Sequence, residues 1–342
     1  MNNESRQSEE TGREPLVDSY GRVHTSLRIS VTDRCNVRCF YCMPAEGVQF
    51  LPRKQLLTYE EIARFVRVTA QLGVNRLRLT GGEPLVRAEL PSLVSQLVST
   101  PGIEEVALTT NGLQLGEQAS DLRKAGLHRI NVSLDTLDAN KFERMTRRPG
   151  LEKVLAGIAE AQRVGFDQIR LNAIAIRGET EPEIVPLVEF ALQQQMHLRF
   201  IEYMPLDGDG GWQAEQVLSG ERIREVIEED FGPLEPAERP DASQPAIDYR
   251  FVNHSGLIGF IHPVSQPFCT QCNRLRLTAE GQVRNCLFSA SEADIRALIR
   301  GGATDDQIAG AVRASVAGKL PGHGIDDPDF LRPERAMYQI GG

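Results

Sequence analysis

Between residues 27 and 204 the chain repeats one pattern: a short run of alternating apolar and polar residues, a polar turn, then a longer stretch with helical spacing. The alternating runs are LRISVT (27–32), RLRLTG (76–81), EVALTTN (105–111), RINVSLD (129–135), IRLNAIA (169–175) and HLRFIEYM (197–204). The stretches between them include TYEEIARFVRVTAQLG (58–73) and GLEKVLAGIAEAQRVG (150–165), and both close on glycine, a common helix stop. Strands that alternate with helices predict βα units and a parallel sheet.

Successive side chains of a strand point to opposite faces. Arg28 and Ser30 therefore oppose Leu27 and Ile29, and Arg76, Arg78 and Thr80 oppose Leu77 and Leu79. Asn131, Ser133 and Asp135 oppose Ile130, Val132 and Leu134, while Arg170 and Asn172 oppose Ile169 and Leu171. The apolar faces must meet the helices, so the polar, arginine-bearing faces point inward. A closed eight-stranded barrel fills its interior with Val, Ile and Leu. Six strands with arginines inside predict an α/β fold of another kind, an incomplete (β/α)6 TIM-like barrel around a cationic cavity. An open doubly wound sheet with its arginines at strand edges is the alternative. The uncommon motifs TGGEP, TTNG, SLD and EYMP follow the second, third, fourth and sixth runs, at the strand ends where βα barrels collect their active sites.

After residue 204 the pattern changes. PLDGDGG (205–211) reads as a boundary, followed by a charged helix (221–232), a proline-rich loop (232–245) and short strands around DYRFVN (248–253) and GLIGFIH (256–262). Residues 290–316 read as helical. The domain division expected is a disordered tail over 1–18, the partial barrel over 19–207 and a C-terminal α+β extension over 208–342.

Composition narrows the class. The 342 residues are 41% hydrophobic and 25% charged, ordinary for a globular chain with a sizeable core. A formal charge of -9 gives no global basic field for nucleic acid, so an anionic ligand needs a local basic site. No apolar run reaches membrane-spanning length, and the polar first residues lack a signal core; the expected location is cytoplasmic. The six cysteines fall into two triplets, Cys35, Cys39 and Cys42 (CxxxCxxC) and Cys269, Cys272 and Cys286 (CxxC with a third after thirteen residues). Such tight spacing favours metal binding over disulfides. Three thiolates on one loop suit three corners of an iron–sulfur cube whose fourth iron stays open to a non-protein ligand. Zinc completed by His24 is the alternative for the first triplet, and zinc completed by His262 for the second.

CxxxCxxC with Tyr41 before the last cysteine, joined by GGEP at 81–84, resembles the radical S-adenosylmethionine superfamily. Together with CNVRCFYCMP, LRLTGGEPLVR, NVSLDTL, RFIEYMP, CNRLRLT and a terminal Gly-Gly, it resembles one family within it, the GTP 3',8-cyclases. That resemblance covers the chain from about residue 27 to its end. It implies a lyase-type radical enzyme that converts GTP to (8S)-3',8-cyclo-7,8-dihydroguanosine 5'-triphosphate, the first step toward molybdopterin. It further implies two [4Fe–4S] clusters, the first binding S-adenosylmethionine and the second, on the C-terminal triplet, binding the guanine of GTP. Gly82, Ser133, Met204 and Tyr41 are the implied S-adenosylmethionine contacts. Arg28, Arg78, Thr109, Arg170, Arg274, Leu275 and Arg276 are those for GTP; the family usually carries Lys where this chain has Arg170. Gly341 and Gly342 are expected to thread into the barrel. The implied partners are a downstream cyclic pyranopterin monophosphate synthase and an unidentified electron donor, with room for a homodimer. Two competing readings are a peptide-modifying radical enzyme, which usually carries more cysteines, and a redox-sensing iron–sulfur protein.

Overall fold

The computed structural model describes residues 15–239, 241–290, 292–325, 327 and 330–341. Six strands pair in parallel and in chain order: β1 (Ser26–Ser30), β2 (Arg76–Thr80), β3 (Glu105–Thr110), β4 (Arg129–Ser133), β5 (Ile169–Ala175) and β6 (His197–Glu202). The connections hold α1 (Tyr59–Gln71), α2 (Leu90–Val98), α3 (Leu115–Lys124), α4 (Ala139–Thr146), α5 (Leu151–Arg163) and α6 (Ile184–Gln193). α1 starts on a Thr58/Glu61 capping box, and α1 and α5 run out into Gly73 and Gly165 at φ 93° and 91°, the left-handed turn anticipated for those glycines. The apolar strand faces lie in a single core with these helices; Leu27, Ile29, Leu79, Leu108, Ile130 and Leu171 are all fully buried. Each such side chain contributes about 1.5–3 kcal/mol.

The later chain extends this sheet. After α7 (Gly220–Phe231) come β7 (Leu234–Pro236), β8 (Ala246–Phe251) and β9 (Leu257–Ile261), an antiparallel set whose last strand pairs in parallel with β6. β10 (Arg274–Leu277) pairs in parallel with β1 and carries β11 (Gln282–Arg284) and β12 (Ala293–Asp294) antiparallel. The strand order is β12-β11-β10-β1-β2-β3-β4-β5-β6-β9-β8-β7. The parallel run therefore has eight members where the sequence pattern gave six, and no break in the sheet falls at 207/208. The reason is backbone chemistry. β1 and β6 would otherwise be edges with unpaired N–H and C=O groups, and segments distant in sequence satisfy them.

Two further expectations change. Within the stretch read as helical, helix begins only at residue 295, after β12, and is divided into α8 (Ile295–Arg300) and α9 (Asp305–Ala317). Gly301 and Gly302 (φ 80°) end the first, and a Thr304/Gln307 capping box starts the second. Residues 1–14 of the expected disordered tail lie outside the described residues, but 15–18 are ordered. Leu16 is buried in the core, its N–H donates to Leu72 O (3.1 Å), and Val17 bridges Val23. The chain closes on α10 (Met337–Ile340).

Candidate active site

The strand faces away from the helices border one cavity of about 410 Å³, within the range of small-molecule sites. Ile261 of β9 and Arg276 of β10 both line it, although they belong to opposite flanks of the parallel run.

Register brings the arginines together. Arg276 of β10 lies beside Arg28 of β1, which lies beside Arg78 of β2; parallel in-register neighbours share a face, so three guanidiniums form a row on the cavity wall. Arg170 on β5 and Arg274 on β10 line the same cavity, as does Thr109, whose hydroxyl accepts from Asn131 (3.3 Å) and keeps its own proton to donate. Among the described residues, the guanidiniums of Arg28, Arg78 and Arg170 make no hydrogen bond and no ion pair. Burial first, and then Arg276 and Arg274, disfavours the charge on Arg28. Burial and then Arg28 act likewise on Arg78, and burial with Arg199 pulls Arg170 down to about 9. Arginine keeps its proton in proteins, so these shifts register the cost of burying the charges and, after it, their mutual repulsion, and an anionic ligand would offset both. Sequence reasoning did not single out Arg129 and Arg199, which also line the cavity. Both obey the period-two pattern that exposed the others. They differ in being paired, Arg129 with Glu105 and Arg199 with Asp248 (3.1 Å).

Leu275 is the exception among the expected GTP contacts. It alternates with Arg274 and Arg276, so its side chain turns to the opposite face and is buried in the apolar core, away from the cavity wall.

The loop after β1 carries Cys35, Cys39 and Cys42 onto the cavity wall. The Cys42 and Met43 N–H groups both donate to Cys39 O (2.9 Å each), which tightens the turn. The GGEP turn docks against this loop through Gly82 N–H to Thr32 O and Glu83 N–H to Arg34 O, both 2.7 Å. A Cβ on Gly81 would sit 2.4 Å from Thr32 O and one on Gly82 2.4 Å from Arg34 O, so only glycine allows that approach. Glu83 was quoted within its motif but not recognised. Its buried carboxylate accepts from Thr110 Oγ1 (2.7 Å), Asn111 N (2.7 Å) and Leu85 N (3.0 Å), tying the GGEP turn to the TTNG turn. Burial pushes its pKa up to about 7 against those three donors. Tyr41, Gly82, Ser133 and Met204 all line the cavity, and the Tyr41 hydroxyl donates to Asp135.

Cys269, Cys272 and Cys286 line the same cavity. Cys269 and Cys272 sit on a tight turn closed by Cys272 N–H to Cys269 O (3.1 Å), and Cys286 follows β11. Burial pushes Cys269 up, as it does the first triplet, and the electrical difference lies at Cys272. Burial pushes Cys35 up to about 11 and Cys42 up to about 12. At Cys272 burial also pushes upward, yet Arg274 and Lys319 outweigh it and hold the thiol at about 6. Both histidines considered as zinc ligands are engaged elsewhere: His24 Nε2 contacts Asp18 (3.0 Å) and His262 Nδ1 contacts Glu202 (3.2 Å), and neither lines the cavity. Among the described residues no three His, Cys, Asp or Glu side chains gather around a point that would hold a single metal ion. Two sets of three soft thiol donors on one cavity wall fit iron–sulfur clusters.

Residues 29–191 match the Radical SAM superfamily, and residues 196–325 match Molybdenum Cofactor Synthesis C. The chain is 50% identical over 330 residues to the GTP 3',8-cyclase of Rhodopirellula baltica, a match spanning 96% of this chain and 92% of that protein. The GTP 3',8-cyclase of Mycolicibacterium smegmatis is 47% identical over 333 residues, again 96% of this chain and 92% of the relative. The chain belongs to the GTP 3',8-cyclase family. Its fold is shared with more distant proteins. Streptococcus suis SuiB bound to S-adenosylmethionine superposes with a TM-score of 0.60 at 14% identity, over 92% of this chain and 77% of that one. SuiB bound to its precursor peptide SuiA gives 0.61 at 15% identity, over 92% and 74%.

The C-terminal segment returns to the cavity side of the sheet. Met337 N–H donates to Leu206 O (2.9 Å), and Arg276 donates to Gly341 O. Gly341 has φ 81°, and a Cβ there would meet Ser30 Cβ and Thr80 Cγ2 at 3.0 Å. Gly342 lies outside the described residues.

Proposed function

We propose that this chain catalyses the ring closure of GTP to (8S)-3',8-cyclo-7,8-dihydroguanosine 5'-triphosphate, the first step of molybdenum cofactor biosynthesis. One observation carries the reading: the in-register row Arg276–Arg28–Arg78, in which Arg28 and Arg78 have no side-chain partner among the described residues, faces the same cavity as both thiol triplets. A triphosphate is the anion that such a row suits, because each guanidinium offers paired donors to phosphate oxygens. In this reading the eight parallel strands form an incomplete barrel; residues 19–207 supply the first triplet, the S-adenosylmethionine contacts and Arg28, Arg78, Thr109 and Arg170, and residues 208–342 add the second triplet with Arg274 and Arg276.

Cys35, Cys39 and Cys42 would hold one [4Fe–4S] cluster, with S-adenosylmethionine lying along Gly82, Ser133, Met204 and Tyr41. Cys269, Cys272 and Cys286 would hold a second, beside the guanine. When bound, the first cluster and S-adenosylmethionine supply a 5'-deoxyadenosyl radical for abstraction of the C3' hydrogen. The arginines fix the triphosphate, and Thr109 adds a hydroxyl donor. Anchoring GTP at both ends holds C3' and C8 in one geometry, the orientation effect on which intramolecular ring closure depends. Tyr41 and Asp135, bonded to each other, keep the wall beside the first triplet rigid.

The test is anaerobic incubation of the reconstituted protein with S-adenosylmethionine, dithionite and GTP, followed by mass analysis. A cyclised nucleotide isobaric with GTP, formed with one 5'-deoxyadenosine per S-adenosylmethionine cleaved, is the expected result. Cleavage of S-adenosylmethionine with GTP recovered unchanged would refute the assignment.

A further inference from the structure

Behind the second thiol triplet lies a lysine that the cavity does not reach. Lys319 follows α9, is 4% exposed and is absent from the cavity wall. Its ammonium donates to the carbonyl oxygens of Arg274 (3.0 Å) and Cys272 (3.4 Å) and to the Cys272 sulfur (3.4 Å). These bonds engage all three of its donors. Among the described residues it has no carboxylate partner. A buried ammonium without a counter-anion is costly, and the one potential anion this group touches is the Cys272 sulfur. Arg274 Nη2 donates to the same sulfur at 3.3 Å.

The arrangement is held from behind. Arg22 donates to Leu320 O (2.7 Å), Pro321 O (3.0 Å) and Cys269 O (2.8 Å), and is itself fixed by Asp18 (2.6 Å). One buried guanidinium thus ties the lysine's segment to the CxxC turn. The first triplet has no counterpart. Cys35 receives neutral donors, the Asn111 amide at 3.8 Å and the Val37 backbone N–H, and the charges around that triplet are mixed, with Glu83 and Arg38 acting on Cys35 and Asp135 on Cys39.

We propose that Lys319 is a positioning residue that sets the reduction potential of the cluster on the second triplet through its N–H···S bond to Cys272. The proposal rests on the reading that this triplet holds a [4Fe–4S] cluster. One-electron reduction, with the electron drawn from an added reductant, makes the cluster more negative by one charge and oxidises no protein group. A fixed ammonium on a ligand sulfur favours that reduced form, as hydrogen bonds to cluster sulfurs do generally.

The experiment is a dithionite titration followed by electron paramagnetic resonance, on the full chain reconstituted anaerobically as wild type, Lys319→Met and Lys319→Arg. Lys319→Met is expected to keep about eight irons and to lower one midpoint by at least a tenfold change in the reduction equilibrium, about 59 mV for one electron. The other midpoint should stay in place, and Lys319→Arg should restore the first. Two unmoved midpoints in a fully loaded Lys319→Met protein would overturn the proposal. If Lys319→Met sheds iron, retention of the cluster in Lys319→Arg supports the charge requirement, and loss in both variants reduces Lys319 to a packing residue. A wild-type protein that binds only about four irons would instead overturn the two-cluster reading, and the proposal with it.

Discussion

Single residues in this protein divide by whether their charge has a partner. Arg28 and Arg78 have none among the described residues, and each is crowded by other guanidiniums. Changing Arg28 to Ala should remove charge-assisted bonds to GTP worth about 1.5–3 kcal/mol, a roughly 10- to 150-fold loss of affinity. Without nucleotide the melting temperature should hold or rise, because repulsion is relieved; calorimetry with and without GTP separates the two effects, and a lower melting temperature would mark Arg28 as structural. His24 behaves oppositely. It is fully buried against Asp18, and burial, then Lys319, holds its pKa at about 4 against an ordinary 6.5. A depressed folded pKa means stability that is present above pH 6.5 and is lost as pH falls toward 4, of order 3 kcal/mol over that window. Denaturant unfolding at stepped pH should show that decline in the wild type and a flatter profile in His24→Gln.

At the scale of elements, the decisive contacts join segments far apart in the chain. Arg335, just before α10, pairs with both Glu280 and Glu292, so the closing segment is clasped to the hairpin that carries Cys286. Gly341 then reaches the ends of β1 and β2. Gly341→Ala has to place a methyl in a left-handed backbone against Ser30 and Thr80. It should lower cyclised product at least tenfold while iron content and melting temperature stay near wild type, and deletion of Gly341 and Gly342 should remove product altogether. Full activity in either variant would mean that Arg276 needs no help from the tail. The same scale explains the split of 290–316: its apolar spacing continues across Gly301 and Gly302, but two adjacent glycines and a new capping box cost the helix less broken than continuous.

For the whole molecule the proposed division of labour predicts separable losses. Wild-type protein should bind about eight irons and eight sulfides. Cys39→Ala should abolish cleavage of S-adenosylmethionine, whereas Cys272→Ala should leave some uncoupled cleavage and no GTP turnover, as 5'-deoxyadenosine and cyclised nucleotide measured in parallel will show. Cyclisation at the wild-type rate by Cys272→Ala would dissolve the assignment of the second triplet.

Local pattern was enough for much of this. Period-two alternation identifies β1 to β6, sends Arg28, Arg78 and Arg170 to one face and Leu27, Leu77 and Leu171 to the other, and places Arg129 and Arg199 on the arginine face as well. Cysteine and glycine spacing located both triplets and the GGEP turn, because their geometry is set within a few residues. What the chain could not disclose by itself depends on contacts across long separations. Only tertiary pairing placed β10 beside β1 and β9 beside β6, completed the arginine row with Arg276, and drew Leu16 into the core. Only packing committed His24 and His262 to carboxylates and set Lys319 behind Cys272. Hydrogen-bond partners and desolvation are properties of a folded neighbourhood, and no periodicity along the sequence encodes which distant residue will supply them.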